Sequence, residues 1–256
     1  MPGWNPAQYE KFLKDRTQPA IDLANRLAGA APGSILDLGC GPGNSTKVLK
    51  DRFPAARIIG ADNSSAMLDK ARELYPDMEF INLDANGDLH EVREKFDIVF
   101  SNACIQWLPN HKELLPKLFT LLNENGILAI QTPMQREHPV HRIMHELAKT
   151  KKWSGKLTPR QYNNLTAEEY FDVLSELSDD FEIWETTYCH RMPDYGSIIE
   201  WYKGTGLRPY LEQLSEKDAD AFVIDVLNEL KRRYRTQKNG EILFRFPRLF
   251  FMARKN

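Results

Sequence analysis

Cysteine is scarce and scattered in this sequence. Cys40, Cys104 and Cys189 are the whole supply in 256 residues, and no two of them form a Cys-x-x-Cys pair. That excludes a disulfide framework and a cysteine-based zinc site, and it fits a reducing cytoplasm. Long apolar runs are missing as well: no stretch approaches the roughly 18 residues of a membrane span. The start, Met1-Pro2-Gly3-Trp4-Asn5-Pro6, lacks the charged-then-apolar order of a secretory leader. Charge of one sign is not in excess, since 34 Lys+Arg against 36 Asp+Glu leave a formal charge of −2. A polyanion-binding surface is disfavoured on that ground. The expectation is a cytoplasmic protein with no membrane and no nucleic-acid partner. A chain of this length, 42% hydrophobic and 27% charged, can bury a substantial core as one large α/β domain.

What is present is a glycine turn. Ser34-Ile35-Leu36 reads as a buried strand, Asp37-Leu38-Gly39-Cys40-Gly41-Pro42-Gly43 as the turn, and Asn44-Ser45-Thr46-Lys47-Val48-Leu49 as the opening of a helix. Gly39, Gly41 and Gly43 permit strained dihedrals and close approach of a ligand to the backbone. A dinucleotide site spaces its glycines G-x-G-x-x-G and seats a pyrophosphate on the helix N-terminus. Here the third glycine comes one residue early, and Asp37 would repel a pyrophosphate. The acid suits a cationic ligand instead, such as the sulfonium and α-ammonium of S-adenosylmethionine. D-x-G-x-G-x-G is similar to motif I of the class I S-adenosylmethionine-dependent methyltransferases.

Along the chain, residues 7–27 carry apolar positions at helical spacing interrupted near Pro19, which predicts two helices. After the glycine turn, strands are predicted at 57–61, 78–83, 96–100 and 126–131, with helices at 65–75 and 111–122. That alternation argues for a doubly wound, mostly parallel sheet with helices on both faces. Residues 134–177 and 193–235 read as helical, with His138-Pro139 and Thr166 as helix starts. Residues 181–192 and 241–254 read as strands, with Pro247 marking a bend or a sheet edge. The expected architecture is a single methyltransferase domain over 1–256 with seven strands. Residues 1–30 form a helical lid, 31–132 the cofactor core, 133–180 and 193–240 a helical cap, and 181–192 and 241–255 a C-terminal antiparallel hairpin.

Ligands of such sheets bind at the carboxyl ends of the strands, so the ends of the first four are the positions to test. Asp62 ends the second strand, where an acid can accept ribose hydroxyls. Asp84 follows the third and could accept from an adenine amine, with Ala85 donating its N–H. Asn102 and Ala103 follow the fourth and could meet the amino-acid portion of the ligand. Each acid alone reads equally well as an N-cap; Asp37, Asp62 and Asp84 on successive strand ends point to a site.

Further segments carry a closer resemblance. Trp4-Asn5-Pro6 with Tyr9, the glycine turn, Asn102-Ala103 with Gln106-Trp107-Leu108-Pro109, Thr205-Gly206-Leu207-Arg208-Pro209, and Phe246-Pro247-Arg248-Leu249-Phe250 together resemble the trans-aconitate 2-methyltransferase family over essentially the whole chain. Less similarity is expected at 134–160, so residues there inherit little. The resemblance implies methyl transfer from S-adenosylmethionine to one carboxylate of trans-aconitate. It implies cofactor contacts from Asp37, Gly39, Cys40, Gly41, Gly43, Asn44, Asp62, Asn63, Met67, Asp84, Ala85, Asn102, Ala103 and Trp107. A carboxylate is already ionised at pH 7, so no general base is expected, and Tyr9 and Trp107 are positioning candidates. A small tricarboxylate needs cations, and arginine captures carboxylates with two parallel hydrogen bonds. Arg208 and Arg248 are the first candidates, then Arg245, Arg191 and His141, with surface pairing as the competing role for each arginine. Trp4 is a further substrate-binding candidate, and Trp4 and Tyr9 could close over the sulfonium or serve as core anchors.

Other patterns carry less. His138, His141 and His145 share a helix face, but ester formation by displacement needs no Lewis acid, and no metal is expected. The basic run at 231–235 suits a helix C-terminus in solvent. No P-loop and no G-x-S-x-G elbow occur. A methyltransferase acting on another polycarboxylate, a phenol or a quinone stays open, as does the choice between monomer and weak homodimer.

Overall fold

The computed structural model describes residues 13–256. Its centre is a seven-stranded sheet in the order β3-β2-β1-β4-β5-β7-β6. The strands are β1 (Ser34–Leu38), β2 (Arg57–Asp62), β3 (Glu79–Asn82), β4 (Phe96–Asn102), β5 (Leu122–Pro133), β6 (Phe181–Met192) and β7 (Ile242–Arg254). β1 to β5 pair in parallel, and β7 runs antiparallel between β5 and β6. The helices are α1 (Leu13–Arg26), α2 (Asn44–Arg52), α3 (Ser65–Leu74), α4 (His111–Thr120), α5 (Pro139–Ala148), α6 (Ala167–Leu177), α7 (Tyr195–Lys203), α8 (Arg208–Leu211) and α9 (Glu216–Arg233). Among the described residues no helix is long and apolar enough to cross a membrane.

Strand alternation assigns the two faces of the sheet. Ile35, Ile58, Ile98, Phe100 and Ala129 pack with Leu23 and Leu27 around α1 and with Leu49 of α2. Leu36, Ile59, Val99, Leu128 and Ile130 pack with Leu115 of α4 and Tyr170 of α6 on the other face. A second core lies apart, built from α5, α7, α9, Trp153 and the first half of β7, Ile242, Phe244 and Phe246. β7 therefore spans both cores. Pro133, the last residue of β5, pairs with Arg248, so residues 242–247 run on past the carboxyl edge of the parallel strands and carry the helical cap with them.

Three expectations change. Pro19 lies inside α1, which is one continuous helix over its described length. A helix tolerates the lost hydrogen bond where packing holds it, and Pro19 sits beside buried Ala20, Leu23 and Ala24. Within 13–26 that helix is a layer on the sheet face and not a lid over the strand ends. Pro247 is neither at a bend nor at an edge, because β7 is interior. Its carbonyl accepts the Met134 N–H just where β5 ends, so the missing proline N–H faces a position with no ladder partner.

Candidate active site

The strand order reverses between β1 and β4, and the residues beyond their carboxyl ends face one another. In the turn after β1, Gly39, Gly41 and Gly43 have φ of +73°, +54° and +89°, the left-handed region that favours glycine. The N–H groups of Gly39 and Cys40 donate to Ala61 O at 2.7 and 3.0 Å. Gly41 N–H donates to Asp62 Oδ2 at 2.9 Å. A Cβ on Gly39 would lie 2.2 Å from Cys104 Sγ, whereas one on Gly41 would meet nothing within 4 Å among the described residues. Gly39 is glycine because the loop after β4 rests on it; Gly41 borders open space that a ligand can fill.

Asp37 alternates with Leu36 and so faces α2, where the first turn supplies two hydroxyls. Ser45 and Thr46 both donate to Asp37 Oδ2 at 2.7 Å. Oδ1 is buried with no hydrogen-bond partner. Burial pushes this carboxyl up to about 6, against the two hydroxyls that favour its anion. Asp62 is also raised by burial, opposed by backbone N–H groups of Ser64, Gly41 and Asn63. Each oxygen of a carboxylate can accept twice, so Asp62 keeps acceptor capacity beyond the bonds from Gly41 and Ser64.

The polar atoms left over at this edge form a set. Besides Asp37 Oδ1, they are Asn44 Nδ2 at the start of α2, Asn102 Oδ1 at the end of β4 and Gln131 Nε2 near the end of β5, all buried and without partners among the described residues. Native proteins leave few such groups, and two acceptors with two donors around one crevice suit a zwitterion. Asp84, two residues past β3, accepts Asn86 N–H at 2.9 Å, with half-buried Ala85 beside it. Met67 is buried in the first turn of α3, and Asn63 is exposed.

The loop after β4 is braced from several sides. Ala103 has φ +53°, unusual for a residue with a Cβ. Its N–H donates to Gln131 O at 3.0 Å, and its carbonyl accepts Gln106 Nε2 at 2.6 Å. Buried His111 Nε2 donates to the carbonyls of Ile105 and Leu108 at 2.8 and 3.0 Å, while its Nδ1 accepts Tyr170 Oη. Trp107, on the short helical turn between those carbonyls, stands 39% exposed.

Facing it is an aromatic wall of the cap. The Arg160 guanidinium lies 4.4 Å from the Trp107 ring centroid and 5.6 Å from that of Tyr162. Tyr162 Oη is 3.3 Å from His141 Nδ1. His138 Nε2 donates to Arg245 O at 2.9 Å, and its Nδ1 accepts from Val140 N–H and Tyr202 Oη. Those partners fix a neutral tautomer, consistent with burial lowering this histidine to about 4. Phe246 packs 4.9 Å from His138, and the Arg248 guanidinium lies 4.4 Å over Phe246. Arg248 Nη1 reaches Gln131 Oε1 at 3.5 Å, so the wall ends where the strand-end crevice begins.

Residues 35–126 match a methyltransferase-domain family model. Trans-aconitate 2-methyltransferases from Escherichia coli O157:H7 and Shigella flexneri are each 42% identical to this chain over 256 residues, which is 100% of this chain and 99% of theirs. The chain belongs to the trans-aconitate 2-methyltransferase family. Among solved structures, its fold is similar to the YcgJ protein of Bacillus subtilis, with TM-score 0.62, 16% identity, and 93% and 99% of the two chains covered. It is similar also to Haemonchus contortus phosphoethanolamine N-methyltransferase 2 in complex with S-adenosyl-L-methionine, with TM-score 0.57, 17% identity, and 93% and 53% covered. At those identities the likeness is one of fold, and it is the fold of class I methyltransferases.

Within this member of the family, the acceptor candidates separate. Arg248 is 5% exposed at the crevice. Arg245 lies on the opposite face of β7, exposed, because alternation groups Arg248 with Phe244 and Phe246. Arg191 is exposed and paired with Glu241 at 2.8 Å. Arg208 opens α8 and binds Glu212 at 2.7 Å, close to Gly206, whose added Cβ would lie 2.6 Å from the His141 ring. His141 itself is 2% exposed and held neutral by burial, so it braces the wall. His145 makes no ring contact with the other two histidines among the described residues, and its buried Nδ1 has no hydrogen-bond partner among them. Trp4 and Tyr9 lie outside the described residues. The thiol of Cys104 is pushed up by burial to about 12 and that of Cys40 higher still, so neither supplies a thiolate at neutral pH.

Two residues escape the sequence reasoning. Gln131 would follow from extending the strand-end rule to the fifth strand. Arg160 has one available signal: no acidic residue occurs between Glu146 and Glu168, so an arginine there has no local carboxylate to pair with.

Proposed function

We propose that this chain transfers the methyl group of S-adenosylmethionine to one carboxylate of trans-aconitate, giving the monomethyl ester and S-adenosylhomocysteine. The observation that carries this reading is a separation of charge across one crevice. The carboxylates of buried Asp37 and half-buried Asp62 lie at the ends of β1 and β2 and suit a cationic nucleoside, whereas the buried guanidinium of Arg248 on β7 suits a polyanion. The relatives' name supplies the acceptor.

When bound, the cofactor supplies an electrophilic methyl carbon on a sulfonium. The residues assigned to hold it follow from the leftover hydrogen-bonding groups. Asp37 Oδ1 and Asn102 Oδ1 accept from the α-ammonium side; Asn44 Nδ2 and Gln131 Nε2 donate toward its carboxylate. Asp62 takes the ribose hydroxyls, and Asp84 with Ala85 takes the adenine edge. The open space at Gly41 leaves room for the nucleoside against the turn, and Met67 lies beneath it. The acceptor carboxylate is already an anion, so the protein need not remove a proton. Its tasks are to strip water from the attacking oxygen and to hold that oxygen in line with the methyl carbon, an effect worth up to about 7–11 kcal/mol in well-oriented systems. Trp107 and the aromatic wall exclude water; Arg248 orients the anion. The enzyme would work in the cytoplasm as a monomer or weak homodimer on a small-molecule tricarboxylate.

Incubation with methyl-labelled cofactor and a panel of tricarboxylates, phenols and quinones tests this, with mass spectrometry locating the ester. Turnover of a phenol with none of trans-aconitate would overturn the acceptor assignment. Arg248→Met keeps the side-chain stem on Phe246 and removes the charge. It is expected to raise KM for trans-aconitate at least tenfold, the value of about 1.4 kcal/mol from a charge-assisted hydrogen bond, while KM for the cofactor stays within twofold. Steady-state kinetics in both substrates reads the two effects separately.

A further inference from the structure

The segment between α5 and α6 is anchored at both sides of one arginine. Trp153 is buried in the cap core with Nε1 donating to Asp225 Oδ2 at 2.8 Å. Thr158 N–H donates to Gln213 Oε1 at 2.8 Å, and Arg160 N–H to Tyr210 Oη at 3.3 Å. The backbone is thereby fixed, and the Arg160 side chain is aimed over Trp107. Other arginines of the described chain, such as Arg26, Arg57, Arg191, Arg233 and Arg254, are paired with carboxylates on the surface. Arg160 is less exposed than these and has no carboxylate within ion-pair distance among the described residues. Its Nη1 is buried with no hydrogen-bond partner among the described residues. The Trp107 and Tyr162 faces offset part of the cost of burying that cation, but they offer it no hydrogen-bond acceptor.

A cavity of about 300 Å³ adjoins it, lined also by Arg136, Arg142, His145, Glu146 and Tyr162. The one acid there, Glu146, is engaged by Arg233. Neither Arg136 nor Arg142 lies within ion-pair distance of a carboxylate among the described residues, although Arg142 acts on Glu146 at longer range; Arg136 Nη2 donates to Asn164 O at 3.4 Å. The cavity thus joins a buried, partnerless guanidinium N–H to two solvated ones.

We infer that Arg160 captures a carboxylate of the acceptor that is not the one methylated, and that the cavity beside it receives that end of the polyanion. This rests on the methyltransferase reading above. Arg160 is a binding residue in this assignment: it fixes one end of the polyanion against Trp107, while Arg136 and Arg142 draw the charge in from solvent. A planar fork of donors on an aromatic plate holds a carboxylate in one orientation, which an ammonium on a flexible stem does not.

The test is a calorimetric titration of trans-aconitate into the enzyme saturated with S-adenosylhomocysteine, together with titration of that nucleoside alone. Arg160→Met is expected to weaken trans-aconitate binding at least thirtyfold and leave nucleoside affinity within twofold. Arg160→Lys should weaken it about tenfold. The double variant Arg136→Gln/Arg142→Gln should lose three- to tenfold and most of the salt dependence of binding, since exposed charges are screened at physiological salt. Unchanged trans-aconitate affinity in Arg160→Met, in a protein whose wild type binds and methylates that acid, would overturn the inference and leave the methyltransferase reading standing. If the methionine variant also loses the nucleoside, the lysine variant decides by the same two titrations. A wild type that neither binds nor methylates any tricarboxylate would instead sink the reading on which the inference rests.

Discussion

Gly39→Ala is expected to abolish methyl transfer and lower the melting temperature by roughly 5–15 °C. Two costs combine. A left-handed residue with a Cβ costs about 1–2 kcal/mol. An overpacked contact costs typically 1–3 kcal/mol more, and here the new Cβ would stand 2.2 Å from Cys104 Sγ and 2.3 Å from Cys104 Cβ. The sum, about 2–5 kcal/mol, converts to that temperature range for a chain of this size. Relief requires the glycine turn and the loop bearing Trp107 to part, which moves both walls of the proposed cofactor crevice. Gly41→Ala is the informative companion. Its φ is also positive, but its Cβ would enter open space. That variant should lose only about 1–2 kcal/mol of stability yet bind S-adenosylhomocysteine at least tenfold more weakly, because the space it fills is the one proposed for the nucleoside. Scanning calorimetry and nucleoside titration separate the two substitutions. A Gly39→Ala enzyme with near-wild-type melting and activity would show that the contact with Cys104 is not a constraint.

The sequence made legible whatever one residue type decides locally. Three glycines after a short apolar run, with an acid before them, predict a strand, a turn and a helix, as found; that Asp37 lies against Ser45 and Thr46 is seen only in the structure. The β–α alternation predicts the parallel half of the sheet, and 181–192 is recovered as β6 with the same bounds. His138-Pro139 opens α5 as expected because proline at a first helical position gives up nothing. What stayed hidden depends on neighbours distant in sequence. Arg248 ranks ahead of Arg245 in the sequence, but it is strand alternation in β7 that sets Arg248 on the face of Phe246 and turns Arg245 outward. Pro247 looked like an edge signal because nothing local tells that β5 stops beside it. Arg160 lies in the stretch where less family similarity is expected, and only the fold brings it onto Trp107.

Asp37→Asn is expected to stabilise the protein without ligand and to cripple its hold on the cofactor. The carboxyl is raised from an ordinary 3.8 to about 6, chiefly by burial. A raised acid means that the folded chain keeps a proton which the unfolded chain releases between those values. The stability this group contributes is therefore present below 3.8 and is lost as pH rises through about 6, up to about 3 kcal/mol in all. Asparagine cannot ionise, so the variant escapes that loss. It can still accept both hydroxyls through its amide oxygen, but its amide nitrogen then lacks an acceptor, which returns about 1–2 kcal/mol. The net gain near pH 7.5 should be about 1–2 kcal/mol, shrinking to nothing or reversing near pH 4, as read from the difference between wild-type and variant denaturation curves. Cofactor binding runs the other way. A cationic amine needs the anion, so wild-type affinity for S-adenosylhomocysteine should climb as pH rises toward about 6 and level off above it, while Asp37→Asn should bind at least thirtyfold more weakly at pH 7.5 with little pH dependence in that range. The buried charge is then a cost the empty fold carries because the ligand neutralises it, and active sites are where proteins keep such costs. An asparagine variant less stable than wild type at pH 7.5, yet binding the nucleoside normally, would mean that Asp37 serves only to tie β1 to the first turn of α2.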